Sequence, residues 1–195
     1  MNALDNLTNR SSVPAKLLSE PGPNNQQIET ILQAAMSAPD HGGLQPFRFL
    51  TIQGKAREAL ADIFEAAVRQ REPTAGEAYF KKQYQKPLRS PLIIVVVCQL
   101  TEDKKIPKIE QQLSAGCASE HILLACEALG FGACWLTGDN AYDHFVKEAL
   151  GLGFNEEINS FIYIGSKQEP SITPRKQAQL ITQNWEQAQP QQTAI

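Results

Sequence analysis

Three short stretches carry side chains that could do chemistry. The first is the loop Ser37-Ala38-Pro39-Asp40-His41-Gly42-Gly43-Leu44-Gln45-Pro46-Phe47. Pro39 stops the helix before it, because its ring and missing N–H cannot be accommodated further along. The two glycines free the backbone to take positive φ or to approach a ligand closely. A polar loop between a helix end and a strand start keeps its backbone donors available while rigid elements hold it, which suits a planar ligand. The second stretch, Arg10-Ser11-Ser12, sets a guanidinium fork beside two hydroxyls, a fit for a phosphate monoester as well as for a solvated helix end. The third, Trp135-Leu136-Thr137-Gly138, ends a compact strand in a polar turn.

Other chemistries find less support. Cys117 and His121 lie four residues apart, on one face of a helix, but no further ligands gather at metal-site spacing. The pair reads as a core cysteine below a partly buried histidine, and no metal is expected. Gly130-Phe131-Gly132 precedes a strand instead of opening a helix, and Trp135 stands where a dinucleotide fingerprint needs its last glycine. No P-loop, G-x-S-x-G or H-E-x-x-H motif occurs.

The elements that must position these residues are legible from periodicity. Asn2 to Asn9 reads as a short helix with Leu4 and Leu7 inward. Asn24 or Asn25 caps a second helix, with Ile28, Ile31, Leu32, Ala35 and Met36 on one face. A strand starts at Phe47, and Ala56 to Ala67 keeps helical spacing. Arg69 to Gly76 reads as a loop, Tyr79 to Tyr84 as a short helix, and the 69–90 segment as a lid or a partner contact. Pro91 to Cys98 does not alternate and reads as a strand buried on both faces. A long helix runs from about Glu110 to Leu129, with Leu113, Cys117, Leu124 and Ala128 inward. The small residues Ser114, Ala115, Gly116, Ala118 and Ser119 near its start permit close approach of a second helix. Then come the strand at Phe131, a helix through Tyr142, Phe145, Val146 and Leu150, a strand over Ile158 to Ile164, and a weak helix with Leu180, Ile181 and Trp185.

The 195 residues read as one domain, with a glutamine-rich tail after about 186 that reads as mobile. A net charge of −3 with mixed signs argues against nucleic acid. No apolar run approaches the ~20 residues of a membrane span, and no secretory leader is visible. Four cysteines without a C-x-x-C pair, each in an apolar stretch, read as reduced thiols of a cytoplasmic protein.

Taken in order, Ala38-Pro39-Asp40-His41 with Gln45-Pro46-Phe47, Ser114-Ala115-Gly116-Cys117, and Gly130-Phe131-Gly132 running to Trp135-x-Thr137-Gly138 resemble the flavin-dependent nitroreductase family. The likeness is to its minimal single-domain subgroup of NAD(P)H nitroreductases and covers about Asn2 to Arg175. It implies an α+β fold, a mixed sheet wrapped by helices, in place of the doubly wound parallel sheet that alternating elements alone suggest. It also implies a homodimer with FMN sites at the subunit interface. Arg10, Ser11, Ser12 and Arg175 would hold the FMN phosphate, while Ser37 and His41 would reach the flavin of the other subunit. Gln45 and Pro46 would line its edge, and Trp135, Leu136, Thr137 and Gly138 would run beside the ring. Ala125, Cys126, Glu127, Ala128, Leu129 and Gly130 match a proposed nicotinamide contact. The implied activity passes hydride from NAD(P)H through flavin N5 to a nitroaromatic, quinone or similar small acceptor in a ping-pong cycle. No side-chain nucleophile is then needed, and His41 is the candidate proton donor. The alternatives are a non-enzymatic FMN carrier or sensor and a flavin enzyme of different chemistry. Ser11 replaces the second arginine of many members, which shifts phosphate binding toward Lys16 or Arg175. Phe47 replaces the usual tryptophan, and Ser37 an arginine.

Overall fold

A computed structural model describes residues 2–102, 105–169 and 174–185. The tail assigned as mobile lies outside the described residues from 186 onward. In chain order the elements are α1 (Ala3–Asn9), β1 (Leu18–Ser19), α2 (Asn25–Ala35), β2 (Phe47–Gln53), α3 (Ala56–Arg71), α4 (Glu77–Tyr84) and β3 (Leu92–Gln99). They continue with α5 (Lys108–Ala128), β4 (Phe131–Leu136), α6 (Asp139–Tyr142), α7 (His144–Ala149) and β5 (Glu156–Lys167), with short 3-10 turns between some of them.

The fold is α+β. β5 is the spine of a five-stranded sheet: β3 and β4 both pair with it, β1 pairs with its last residues, and β2 flanks β3. The pairings among the described residues are all antiparallel. The unbroken apolar run of β3 is explained by burial on both faces. Leu92, Ile94, Val96 and Cys98 join the core under α2 and α5, whereas Ile93, Val95 and Val97 join the core under α3. Helices therefore cover the sheet on both sides, which suffices for a two-faced core without parallel strands.

Asn24 caps α2 in a capping box with Gln27, so its first turn has its donors satisfied. Ile28, Ile31 and Ala35 are buried, but Met36 falls past the last turn and is exposed. Four further inward assignments are corrected. Leu4 and Leu7 of α1 and Leu113 and Ala128 of α5 are exposed, because no other described element of the chain packs over them. The small residues of α5 do receive a close neighbour, within the same chain. Ala115 and Ala118 lie in the core with Ile31 and Ala35 of α2, Ser114 Oγ donates to Pro39 O at 2.8 Å, and Ser119 Oγ meets Ser160 Oγ of β5 at 2.9 Å.

The 69–90 segment is more helical than its polarity suggests. α3 continues through Arg71, and α4 folds back on it, with Phe80 buried and Arg69 seated 4.1 Å over its ring. Among the described residues near the end, the predicted weak helix is a 3-10 turn over Ala178–Leu180, and Leu180, Ile181 and Trp185 are exposed. No helix among the described residues is long and apolar enough to cross a membrane.

Candidate functional site

The loop after α2 is shaped by its glycines and pinned by α5. A 3-10 turn over His41–Gly43 places Gly42 at φ +75° and Gly43 at φ +68°. A Cβ on Gly42 would lie 2.5 Å from Ile106 Cδ1, so any other residue would have to displace the Ile106 side chain as well as adopt a positive φ. Gln45 takes φ +46°, and its N–H donates to Asp40 Oδ2 at 2.7 Å. Pro46 O accepts from Gln99 N at 2.9 Å, which ties the loop exit to β3. Besides Ser114 on Pro39, α5 supplies Glu110, whose Oε2 sits 2.5 Å from His41 Nδ1. With Nδ1 taken, Nε2 is the ring nitrogen of His41 left to face outward. The exposed Ser37 donates its hydroxyl to Ala34 O at 2.8 Å and lies 3.2 Å from His121 Nδ1.

Arg10 to Ser12 run from the end of α1 to the edge of β4. Asn6 Nδ2 donates to Leu124 O and Val13 N donates to Ala133 O, which hold this segment between α5 and β4. Arg10 Nε pairs with Glu120 Oε1 at 3.2 Å, and Arg175 Nη2 donates to Arg10 O at 2.6 Å. Arg10 Nη1 is closed off from solvent with no hydrogen-bond partner among the described residues. The structure thus brings Arg10 and Arg175 together, with Ser11 buried and Ser12 exposed beside them. Lys16 lies in a 3-10 turn further along the chain. Arg10 and Ser37 meet consecutive residues of α5, Glu120 and His121, which project about 100° apart. The two candidate segments therefore flank α5 on different sides within one chain.

Trp135 and Leu136 remain partly exposed at the end of β4, with the Trp135 ring lying over Gly116, where an added Cβ would come within 3.8 Å. Leu136, Thr137 and Gly138 then border a cavity of about 250 Å³. Phe64, Phe161 and the buried Tyr163 line its apolar part, and Arg71, Lys86 and Arg89 supply cations. Arg71 is neutralised by Asp143 and also reaches Asn140. Lys86 and Arg89 have no ion-pair partner among the described residues. Burial holds the Lys86 ammonium below its ordinary pKa, and Arg89, Lys82 and Arg71 push the same way against the opposing pull of Asp139. Motif reading missed these cations. Their one sequence signal is Lys86-Pro87-Leu88-Arg89, two basic residues about a proline directly before the most buried strand.

The proposed nicotinamide segment is divided by its surroundings. Ala125 and Ala128 share a shallow groove of about 260 Å³ with Ser37 and His121. Cys126 is fully buried, which pushes its thiol up to about 12, and Glu127 is held by Lys167 at 2.7 and 2.8 Å. Leu129 caps α5, and Gly130 turns the chain at φ +86°. Cys117 and His121 acquire no further metal-type neighbours, and among the described residues no cluster of His, Cys, Asp and Glu could hold a metal.

An antiparallel sheet with helices on both faces, and an arginine-serine segment beside the open end of its edge strand, defines a recognisable class. Residues 7–166 match the Nitroreductase family model, and the chain belongs to that family, one of oxidoreductases. Among its relatives, the Escherichia coli K12 protein named "Putative NAD(P)H nitroreductase YdjA" is 40% identical over 175 residues, covering 89% of this chain and 92% of that protein. A Haemophilus influenzae protein named "Putative NAD(P)H nitroreductase" is 36% identical over 170 residues, covering 87% and 90%. Among solved structures, the nitroreductase-like family protein from Bacillus cereus shares the fold with a TM-score of 0.82 at 19% identity, covering 96% of this chain and 97% of that one. A Desulfovibrio desulfuricans nitroreductase-type protein solved in complex with FMN follows at a TM-score of 0.70 and 24% identity, covering 97% and 99%.

Proposed function

We propose that this chain is a single FMN-binding domain of an NAD(P)H-dependent oxidoreductase that reduces nitroaromatics, quinones or similar small acceptors in the cytoplasm. The observation that carries the reading is Arg10 Nη1, which has no partner among the described residues, beside Arg175. A buried donor without an acceptor costs about 1–3 kcal/mol, and a phosphate monoester relieves that cost with charge-assisted bonds. Arg10, Ser11, Ser12 and Arg175 bind the phosphate in this reading. The Trp135–Gly138 segment orients the ring by its backbone, and Gln45 and Pro46 border the ring's edge. Lys86 and Arg89, which line the cavity beside that segment, would add positive charge next to a bound flavin. Bound FMN supplies the hydride-carrying position, N5, that serves NAD(P)H and the acceptor in turn. His41, its Nδ1 occupied by Glu110, is the candidate proton donor in this reading.

The functional unit is a homodimer in this reading. Leu4, Leu7, Ile109 and Leu113 leave an apolar surface on α1 and the outer face of α5. The placement of Arg10 and Ser37 on different flanks of α5 suits their serving different flavins, with Ser37 and His41 reaching the partner's site. The decisive experiment is the absorbance spectrum of the purified protein, followed by NADH or NADPH addition without oxygen. A yellow protein that binds FMN in preference to FAD, bleaches with a reduced nicotinamide and regains colour with a quinone is the expected result. A protein that takes up no FMN refutes the reading, and one that binds FMN but is not bleached is a carrier or sensor.

A further inference from the structure

An arginine that grips phosphate binds more tightly when its guanidinium already points the right way. Arg10 has a long side chain, and its backbone leaves α1 just before it, at Asn9. Left alone, its guanidinium would be immobilised only by the incoming anion, at the expense of affinity. Here Nε is already engaged by Glu120 at 3.2 Å. That contact is made through Nε, and Nη1 is the atom with no partner among the described residues, left for another acceptor.

Glu120 is mounted rigidly. It sits in the middle of the 21-residue α5, between Ser119, which is bonded to Ser160, and Ile122, which is fully buried. The chain on the other side is fixed as well, by Asn6 on Leu124 O and Val13 on Ala133 O. Glu120 itself is substantially exposed, at 43% of its side chain, whereas Arg10 retains 15%. A pair of this exposure adds little to stability, so its consequence is directional. We infer that Glu120 is a positioning residue that presents Arg10 to the FMN phosphate, an inference that rests on the cofactor reading above.

An opposing effect has to be weighed. The Glu120 carboxylate is an anion near a site meant for a dianion. Its charge is partly cancelled by Arg10 at contact distance and screened by solvent on its exposed side, so the orienting effect wins. Removing the carboxylate then weakens FMN binding. If repulsion dominated, removal would tighten it.

The test is titration of flavin-stripped protein with FMN and with riboflavin, which lacks the phosphate, followed by quenching of flavin fluorescence. Arg10→Ala sets the scale, with an expected ten- to hundredfold loss of FMN affinity, about 1.4–2.8 kcal/mol. Glu120→Ala is expected to raise the FMN Kd about three- to tenfold, the size for one rotamer-rich side chain left unordered. Glu120→Gln, which removes the charge but keeps the side chain's size, should lose FMN affinity much as Glu120→Ala does, because the contact is an ion pair. Riboflavin affinity should be the same in all three, and Glu120→Ala should add nothing in an Arg10→Ala background. Tighter or unchanged FMN binding in Glu120→Ala overturns the role, as does an equal loss for riboflavin, which would mark a general disturbance of α5. Wild-type protein that binds FMN no better than riboflavin overturns the phosphate-site reading itself, and this role with it.

Discussion

Replacing Glu156 by glutamine should destabilise the protein by about 2–3 kcal/mol at neutral pH, and acid should erase much of the difference. Glu156 is buried at the start of β5 and accepts from Arg48 Nε and Nη2 at 2.7 Å each, from Gln99 Nε2 at 2.7 Å and from Gly153 N at 2.9 Å. The Arg48 fork is the main cause that holds its carboxyl down, from 4.5 to about 2, with the Gly153 and Gln99 bonds adding to it against the cost of burial. A depression of that size corresponds to about 3 kcal/mol, discounted slightly because Arg48 is a third exposed. A depressed carboxylate stabilises the fold above its unfolded pKa and loses that contribution as pH falls through the window from 4.5 to about 2. At pH 3 roughly half of the contribution, about 1–1.5 kcal/mol, should remain. The network matters for the site because Arg48 and Gln99 are the residues that lead the Gln45–Pro46 loop into β2 and tie it to β3. Urea unfolding of flavin-free wild type and Glu156→Gln, at one protein concentration and at pH 7 and 3, measures both numbers. An equal gap at the two pH values would refute the ion-pair account. Glutamine would then act by packing alone.

Two further perturbations separate local geometry from assembly. Gly42→Ala should destabilise more than Gly43→Ala in thermal unfolding. Both sites have positive φ, worth about 1–2 kcal/mol of strain each, but only the Gly42 Cβ would collide with Ile106, while nothing lies within 4 Å at Gly43. Equal costs would mean that Ile106 yields freely. In a mixed dimer of Arg10→Ala and His41→Ala chains, both lesions should fall in one site, so about half the wild-type flavin should be retained per dimer if each parent homodimer binds poorly. A monomer in sedimentation that still binds FMN and oxidises NAD(P)H would end the shared-site proposal.

The chain itself contained most of what is local. Pro39 and the adjacent Gly42 and Gly43 announce a loop that a helix cannot enter, and the positive φ values there are what glycine allows. The uninterrupted apolar run at Leu92–Gln99 announces a strand covered on both faces, though not which strands flank it. The motif order announced the family, and the family model spans residues 7–166. What stayed hidden was everything that depends on partners distant in sequence. Lys86 and Arg89 read as ordinary surface charge until β4 and β5 bring Leu136 and Tyr163 around them. Glu120 is one acidic residue among many until α1 delivers Arg10 across from it, 110 positions away in the chain. Leu4, Leu7 and Leu113 have the spacing of buried residues and are exposed. Periodicity reports that a helix has an apolar face. Only packing decides what that face meets, because burial depends on contacts that the sequence of one helix does not contain.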